Sequence, residues 1–401
     1  MRIASLSHSF PKLSETFILN QIVGLLDRDH EVDVFSESVP DSEADHKIVD
    51  EYGLKSRTTY SCDPSSYMEG LEVLSKSLPS LFLTKSIPSF LVLQELSQGT
   101  SAPRRLGNLS TVTKSGNYDI YHAHFGTVGN SFLGVSKAVD EPYVVSFYGW
   151  DASQKLREEP GCYDELFDEV DTVTVLSENM RSDLTKAGCP REKTHIQPLC
   201  IDTRKFSFHT TEYDEGETIR IATVARFVEK KGIEYALRAI AELKHSYDIE
   251  YTIAGDGRNR EKITTLIREL DIGDSVTLLG WQPQERIAEL MYDSHLFLLP
   301  SVTAESGDKE GTPTVLLEAQ SRGLPIVSTF HAGIPEIVED GKSGMLVPER
   351  DSDVLAGAIQ EMVERSSDWP QMGRHGREYV ESTHSIEAAS ESILNLYKSI
   401  S

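Results

Sequence analysis

Apolar residues along this chain fall into short runs, each closed by a polar or glycine-containing turn and followed by a stretch with helical spacing. The opening reads as strand RIASLS, amphipathic helix ETFILNQIVGLLD and strand HEVDVFS, a β-α-β unit. The runs YDIYHAHF, PYVVSFYG, DTVTVLS and THIQPL continue the series as strands. A second series follows, with strands IRIATVA, IEYTIAG, SVTLLG, HLFLLP and PIVST. Between them lie the helices GIEYALRAIAELKHS, REKITTLIREL, QERIAELMYDS and PTVLLEAQSRG. Strands alternating with helices predict an α/β protein of two Rossmann-like, doubly wound domains with parallel sheets. The expected boundaries are residues 1–202 for the first domain, 203–218 for a charged aperiodic linker, 219–375 for the second domain and 376–401 for C-terminal helices. The last helix, IEAASESILNLYKSI, is expected to pack back on the first domain.

Residues 60–115 depart from this rhythm. Pro79, Pro88 and Pro103 are expected to break up leucine-rich segments such as LPSLFLTKSIPSFLVLQEL, giving a helical insertion. Its apolar surface has two readings: helices packed on the domain or forming a mobile lobe, or a contact with a membrane or lipid acceptor.

Composition narrows the function classes. A chain of 401 residues suits two domains, and 64 acidic against 39 basic residues give a net charge of −25, which excludes a nucleic-acid surface. The excess acid is scattered, as expected of a salt-adapted, highly soluble protein. No long uncharged run predicts a spanning helix. MRIASLSHSF reads as a first buried strand rather than a secretion signal, so a cytoplasmic location is expected, peripheral at the inner membrane face if the insertion meets lipid. Cys62, Cys162, Cys189 and Cys200 form no CxxC pair, so neither disulfide nor zinc is expected.

In open α/β sheets ligands bind beyond the carboxyl ends of the strands. There IRIATVA runs into Arg226, and Lys231 precedes Gly232 and the next helix, two cations suited to a diphosphate or, more plainly, two surface charges. After HLFLLP comes SVTAESGDKEGTPTVLLEA, in which Thr312 is expected to cap a helix with Pro313 at its first position. Gly311 allows close approach, and free N–H groups around Thr314 and Val315 suit phosphate oxygens. Glu310 in the loop and Glu318 in the helix can each accept paired hydroxyls of a sugar or a ribose.

Glu310 and Glu318 with seven residues between them, the following GLPIVST, the segment GIPEIVEDGKSGMLVPERD and the earlier ARFVEKKG together resemble the large retaining glycosyltransferase family of GT-B architecture (glycosyltransferase family 4, group 1). FPKLSETFILNQI and GDKEGTPTVLLEA are most similar to the branch that builds bacterial exopolysaccharides, including colanic acid glycosyltransferases. The resemblance implies that Arg226 and Lys231 stabilise the departing diphosphate, that Glu310 serves the donor sugar and Glu318 the ribose, and that Gly311 to Val315 form the donor loop. It implies a UDP- or GDP-sugar donor, a saccharide or lipid-linked acceptor, and no cofactor or metal.

In the first domain Ser14, Glu15, Thr16 and Phe17 open the first helix on the acceptor side. His122 and His124 end a strand; a metal pair lacks a third ligand, and His122 is expected to be a buried, hydrogen-bonded histidine. Where the family often has a histidine before the glycine of SFYGWDAS, this chain has Tyr148. His124 is then the candidate for acid/base duty, with Tyr148 a hydrogen-bond donor and Asp151 either an acceptor ligand or a helix cap. Gly255 to Gly257 is a turn, and Asp351 to Asp353 is a helix cap rather than a metal-binding DxD. The competing functions are a sugar-nucleotide epimerase on a similar scaffold and a binding subunit without catalysis.

Overall fold

The computed structural model describes residues 1–12, 15–40, 47–61, 64, 66–83 and 87–401, with Tyr67 described by its backbone alone. The chain divides into two compact units, one of Met1–Cys200 with Ala389–Ser401, the other of Ile201–Ala388. The stretch read as a linker thus belongs to the second unit, which also keeps the helix Trp369–Thr383.

The first unit holds seven strands, β1 (Arg2–Ser9), β2 (Glu31–Ser38), β3 (Thr58–Tyr60), β4 (Ile120–His124), β5 (Tyr143–Ser146), β6 (Thr172–Val175) and β7 (Thr194–Ile196). Their order is β3-β2-β1-β4-β5-β6-β7, and every pairing is parallel. The order reverses between β1 and β4, where Ile3 pairs with Ile120 and Leu6 with Ala123. Helices cover both faces, so β4, β5 and β6 are buried along their whole length. The helix Ile386–Ile400 closes one face: Ile393, Leu394, Leu396 and Tyr397 share a core with Ile3, Val32, Ile120 and Val144.

The insertion consists of three helices, Tyr67–Leu83, Ser89–Leu96 and Ala102–Lys114. Pro79 does not end its helix as expected but lies inside it. Position 79 is on the exposed face, where water can take up the carbonyl its missing N–H leaves unbonded.

The second unit repeats the plan with β8 (Ile219–Val224), β9 (Ile249–Ala254), β10 (Val276–Gly280), β11 (Leu296–Leu299), β12 (Ile326–Thr329) and β13 (Gly344–Val347). The order β10-β9-β8-β11-β12-β13 is again parallel throughout and reverses between β8 and β11. Ile233, Ala236, Leu237, Ile240 and Leu243 place one stripe of the helix Ile233–Leu243 in the core at three- and four-residue spacing. Ligands of doubly wound sheets sit beyond the strand ends at such reversal points, which directs attention to the loops after β8 and β11, and in the first unit to those after β1 and β4.

Candidate active site

After β8 the chain passes Arg226 and a tight turn, Glu229–Lys231, before the helix Ile233–Leu243. Gly232 sits there at φ +63°, and a Cβ on it would lie 1.8 Å from the carbonyl oxygen of Pro300, the residue that follows β11. Only glycine lets these two strand-end loops close on one another. The result is an ion pair: Lys231 Nζ lies 2.7 Å from Glu310 Oε1, with both side chains largely buried.

The same loop is held from several sides. Lys230 is buried and its Nζ donates to Asp308 Oδ1 at 2.9 Å and to the Lys309 carbonyl at 3.0 Å. The Val302 N–H donates to the Lys230 carbonyl at 2.8 Å. His331, fully buried just beyond β12, accepts the Glu310 N–H at Nε2 (3.1 Å) and meets Glu349 Oε1 through Nδ1 (2.6 Å). Because an amide can only donate, Nε2 must be the acceptor, which puts the ring proton on Nδ1 and fixes the tautomer. Glu349 Oε2 in turn accepts the Thr303 N–H at 2.7 Å. Sequence reasoning missed Lys230, His331 and Glu349. The strand-end rule applied to PIVST would have pointed to His331, but Lys230 differs from Lys231 only in side-chain direction.

Electrostatics set the site apart. Burial would raise the Glu310 carboxyl, but Lys231 and Lys230 outweigh it and hold it at about 2. The Lys231 ammonium is lowered by burial, and Lys230 and Arg226 lower it further against the opposing pull of Glu310. Arg226 itself is exposed and makes no ion pair among the described residues. This corner therefore gathers three cations against one loop carboxylate and the Lys230 partner Asp308.

The helix after the loop runs Thr314–Arg322. Thr312 does not cap it: Pro313, extended at φ −65° and ψ 107°, is the boundary residue, so the helix starts one position later than expected and no side chain caps it. Gly311 and Thr312 are buried beside Glu310. The N–H groups of Thr314 and Val315 have no acceptor among the described residues, leaving donors at the positive end of the helix dipole. Glu318 lies one turn in, half-buried, with no hydrogen bond or ion pair among the described residues. Burial pushes its carboxyl up to about 7, with Lys205 pulling the other way.

In the first unit Ser14 lies outside the described residues. Glu15 precedes the helix Thr16–Leu26 without capping it, and its carboxylate takes Lys12 Nζ at 2.8 Å. Thr16 is the first helical residue. Tyr148 packs between Phe17 and Phe125, each 4.6 Å from it by ring centroid, and Phe125 holds φ +79°, a rare conformation for a bulky residue.

His122 is the buried, hydrogen-bonded histidine expected: Nδ1 meets the Tyr397 hydroxyl and Nε2 the Ser146 hydroxyl, each at 2.6 Å. The acid/base reading of His124 is corrected. Its ring is 1% exposed, stacks on His122 at 4.5 Å and meets the Tyr148 hydroxyl at 2.9 Å through Nδ1. Burial lowers it to about 3, so it is neutral and a poor proton carrier at pH 7. Asp151 is corrected as an acceptor ligand: fully buried, it accepts the N–H groups of Gly126 and Tyr148, both at 2.8 Å, and so ties the ends of β4 and β5 together. It also does not cap the helix that follows it, whose boundary residue is Ser153.

Asp351 caps the helix Ser352–Glu364 through the Val354 N–H at 3.0 Å. Gly255 is required by packing, since a Cβ there would lie 1.9 Å from the Ala225 carbonyl oxygen. Among the described residues no three His, Cys, Asp or Glu side chains are grouped as metal ligands, no disulfide joins Cys162, Cys189 and Cys200, and no helix is long and apolar enough to cross a membrane. Cys62 lies outside the described residues.

Two family profiles match nearly the whole chain, glycosyltransferase family 4 over residues 14–205 and glycosyl transferases group 1 over residues 206–379. The chain is 32% identical to the amylovoran biosynthesis glycosyltransferase AmsK of Erwinia amylovora, over 92% of each chain. It is equally identical, over 90% of each, to WcaL of Salmonella typhimurium, a glycosyltransferase assigned to colanic acid biosynthesis. Among solved structures, HepE of Anabaena in complex with UDP superposes with a TM-score of 0.73 at 17% identity, covering all of both chains. Sucrose-phosphate synthase of Thermosynechococcus elongatus gives 0.72 at 18%, covering 100% of this chain and 98% of that one. The architecture is GT-B. The chain belongs to glycosyltransferase family 4, its C-terminal half being a group 1 glycosyltransferase domain.

Proposed function

We propose that this glycosyltransferase moves a sugar from a UDP- or GDP-sugar onto a saccharide or lipid-linked acceptor in exopolysaccharide synthesis, with retention of anomeric configuration and without a divalent metal. The observation that carries the reading is the packing of Lys231 against Glu310 beside the uncapped helix start at Thr314, at the sheet's reversal point. Fixed cations and amide donors there meet charge that develops on a departing diphosphate, which is where a transferase lowers its barrier. Lys231 is paired with Glu310. A diphosphate arriving beside Arg226 and Lys231 competes for that ammonium and leaves the carboxylate for sugar hydroxyls. Glu318, without a side-chain partner among the described residues, is suited to the paired hydroxyls of a ribose. A departing phosphate oxygen takes the acceptor proton, consistent with the neutral, buried state of His124. The acceptor class follows the relatives named for amylovoran and colanic acid synthesis, and the donor class follows the HepE structures with UDP and UDP-glucose.

The test is a thermal-shift screen of UDP-, GDP- and ADP-sugars, followed by transfer assays with the stabilising donor, with and without EDTA. Stabilisation by one donor and EDTA-insensitive transfer are expected. No stabilisation by any nucleotide sugar, or a strict requirement for added metal, overturns the reading.

A further inference from the structure

The insertion carries large apolar side chains that its own packing does not use. The helices Tyr67–Leu83 and Ser89–Leu96 turn Leu81, Leu91 and Val92 inward, in one core with Leu106 and Leu109 of the helix Ala102–Lys114, and Val73 is buried as well. Outward they present Phe82, Leu83, Phe90 and Leu93, exposed by 46%, 82%, 69% and 59%. Elsewhere exposed large apolar side chains such as Val39, Trp281 and Val354 are scattered along the chain, whereas these four fall within twelve residues.

Charge follows the same boundary. Residues 66–115 contain five basic and three acidic residues, while the rest of the chain has 34 basic and 61 acidic. From Val73 to Gln94 there is no Asp or Glu at all, and the next acid, Glu95, is fully buried between Arg105 and Lys137. A protein of net charge −25 is repelled by an anionic surface over most of its length, and this segment, with a small basic excess, is one of the stretches where that repulsion is weakest.

We propose that Phe82, Leu83, Phe90 and Leu93 dock the enzyme on the surface of an anionic phospholipid bilayer, the apolar side chains entering the headgroup boundary and the acid-free segment admitting close approach. The inference deepens the acceptor side of the proposed function, since docking would bring the enzyme to a lipid-linked acceptor, but its test needs neither donor nor acceptor. The full chain is sedimented with vesicles of phosphatidylcholine alone or mixed equally with phosphatidylglycerol, and a Leu83→Trp variant reports insertion by its emission. Binding to the mixed vesicles, weakened by salt, and a blue shift of the added Trp are expected. The variant Phe82→Ser/Leu83→Ser/Phe90→Ser/Leu93→Ser should bind at least about tenfold less tightly while keeping its nucleotide-sugar stabilisation. Unchanged vesicle binding by the quadruple variant, no binding by the wild type, or self-association of the wild type that the four serines abolish without any lipid effect overturns the proposal. Loss of the nucleotide response with vesicle binding intact would instead overturn the transferase reading alone.

Discussion

Lys231 Nζ lies 2.7 Å from Glu310 Oε1, so the two side chains to which the proposed donor chemistry is assigned are bonded to each other. The pair sits in a low-dielectric pocket, where losing one member leaves the other buried and uncompensated.

Lys231→Met should therefore cost about 3–5 kcal/mol of stability and lower kcat at least about a hundredfold. Adding Glu310→Gln to it should restore much of the stability and none of the activity. Urea unfolding alongside transfer assays separates the two effects; recovery of turnover in the double variant would contradict the role given to the pair.

His331 holds the Glu310 backbone, accepting its N–H at Nε2 at 3.1 Å. His331→Ala should orphan the Glu310 N–H and one Glu349 oxygen, a loss of about 1–3 kcal/mol. Donor KM should change less than kcat, because the cation set remains while the carboxylate is released. The conservative His331→Asn should recover part of kcat; equal loss in both variants would leave His331 a core residue only.

Glu318 gives the stability curve a sign opposite to that of an ordinary carboxylate. Its folded value, about 7, lies above the unfolded 4.5, so its contribution is fully present below pH 4.5 and is lost as pH rises through 7. The loss at pH 8 should be on the order of 3 kcal/mol, absent in Glu318→Gln. If ribose hydroxyls bond the carboxylate, nucleotide binding near pH 6.5 must release a proton. Calorimetry in buffers of different ionisation enthalpy should show that release in the wild type and not in the variant.

The stacked histidines work in the other direction. His124 falls to about 3 and His122 well below its usual value through burial. Both must gain a proton on unfolding below pH 6.5, so their contribution is present above that value and lost on acidification toward 3. Asp151, raised to about 6 by burial, opposes them by losing stability as pH rises through 6. Replacing both histidines with Asn should flatten the acid limb of the urea-unfolding midpoint, at some loss of absolute stability.

Much of this architecture was legible in the sequence because most of its strands are largely buried and therefore read as short runs rich in apolar residues. Eleven of the thirteen strands correspond to such runs. The two that went unread, β3 and β13, are short strands at the edges of their sheets: TTY is largely exposed, and GMLV sits inside a loop-like stretch of glycine and charge. At the site, the strand-end rule finds Arg226, Lys231 and Glu310 because topology alone puts them there. Applied to PIVST it also reaches His331, but it cannot find Lys230, whose burial depends on side-chain direction, nor the pairing of His331 with Glu349, which needs the tertiary meeting of strand ends. The Thr312 cap fails for a local reason: a proline in the extended region moves the helix boundary past it. His124 fails for a global one, since strand position says where a side chain starts but not how much protein surrounds it.

The last helix places Tyr397 against His122, 275 positions earlier, and Gln197 is bonded to both Ala389 and Ser392. One face of the opening sheet thus stays partly uncovered through synthesis until residues 389–401 leave the ribosome, with Ile3, Ile120 and Val144 lacking part of their cover. The intervening unit can mature during that wait. A nascent chain stalled before Ala389 should resist protease across 201–388 while its first two hundred residues remain cleavable.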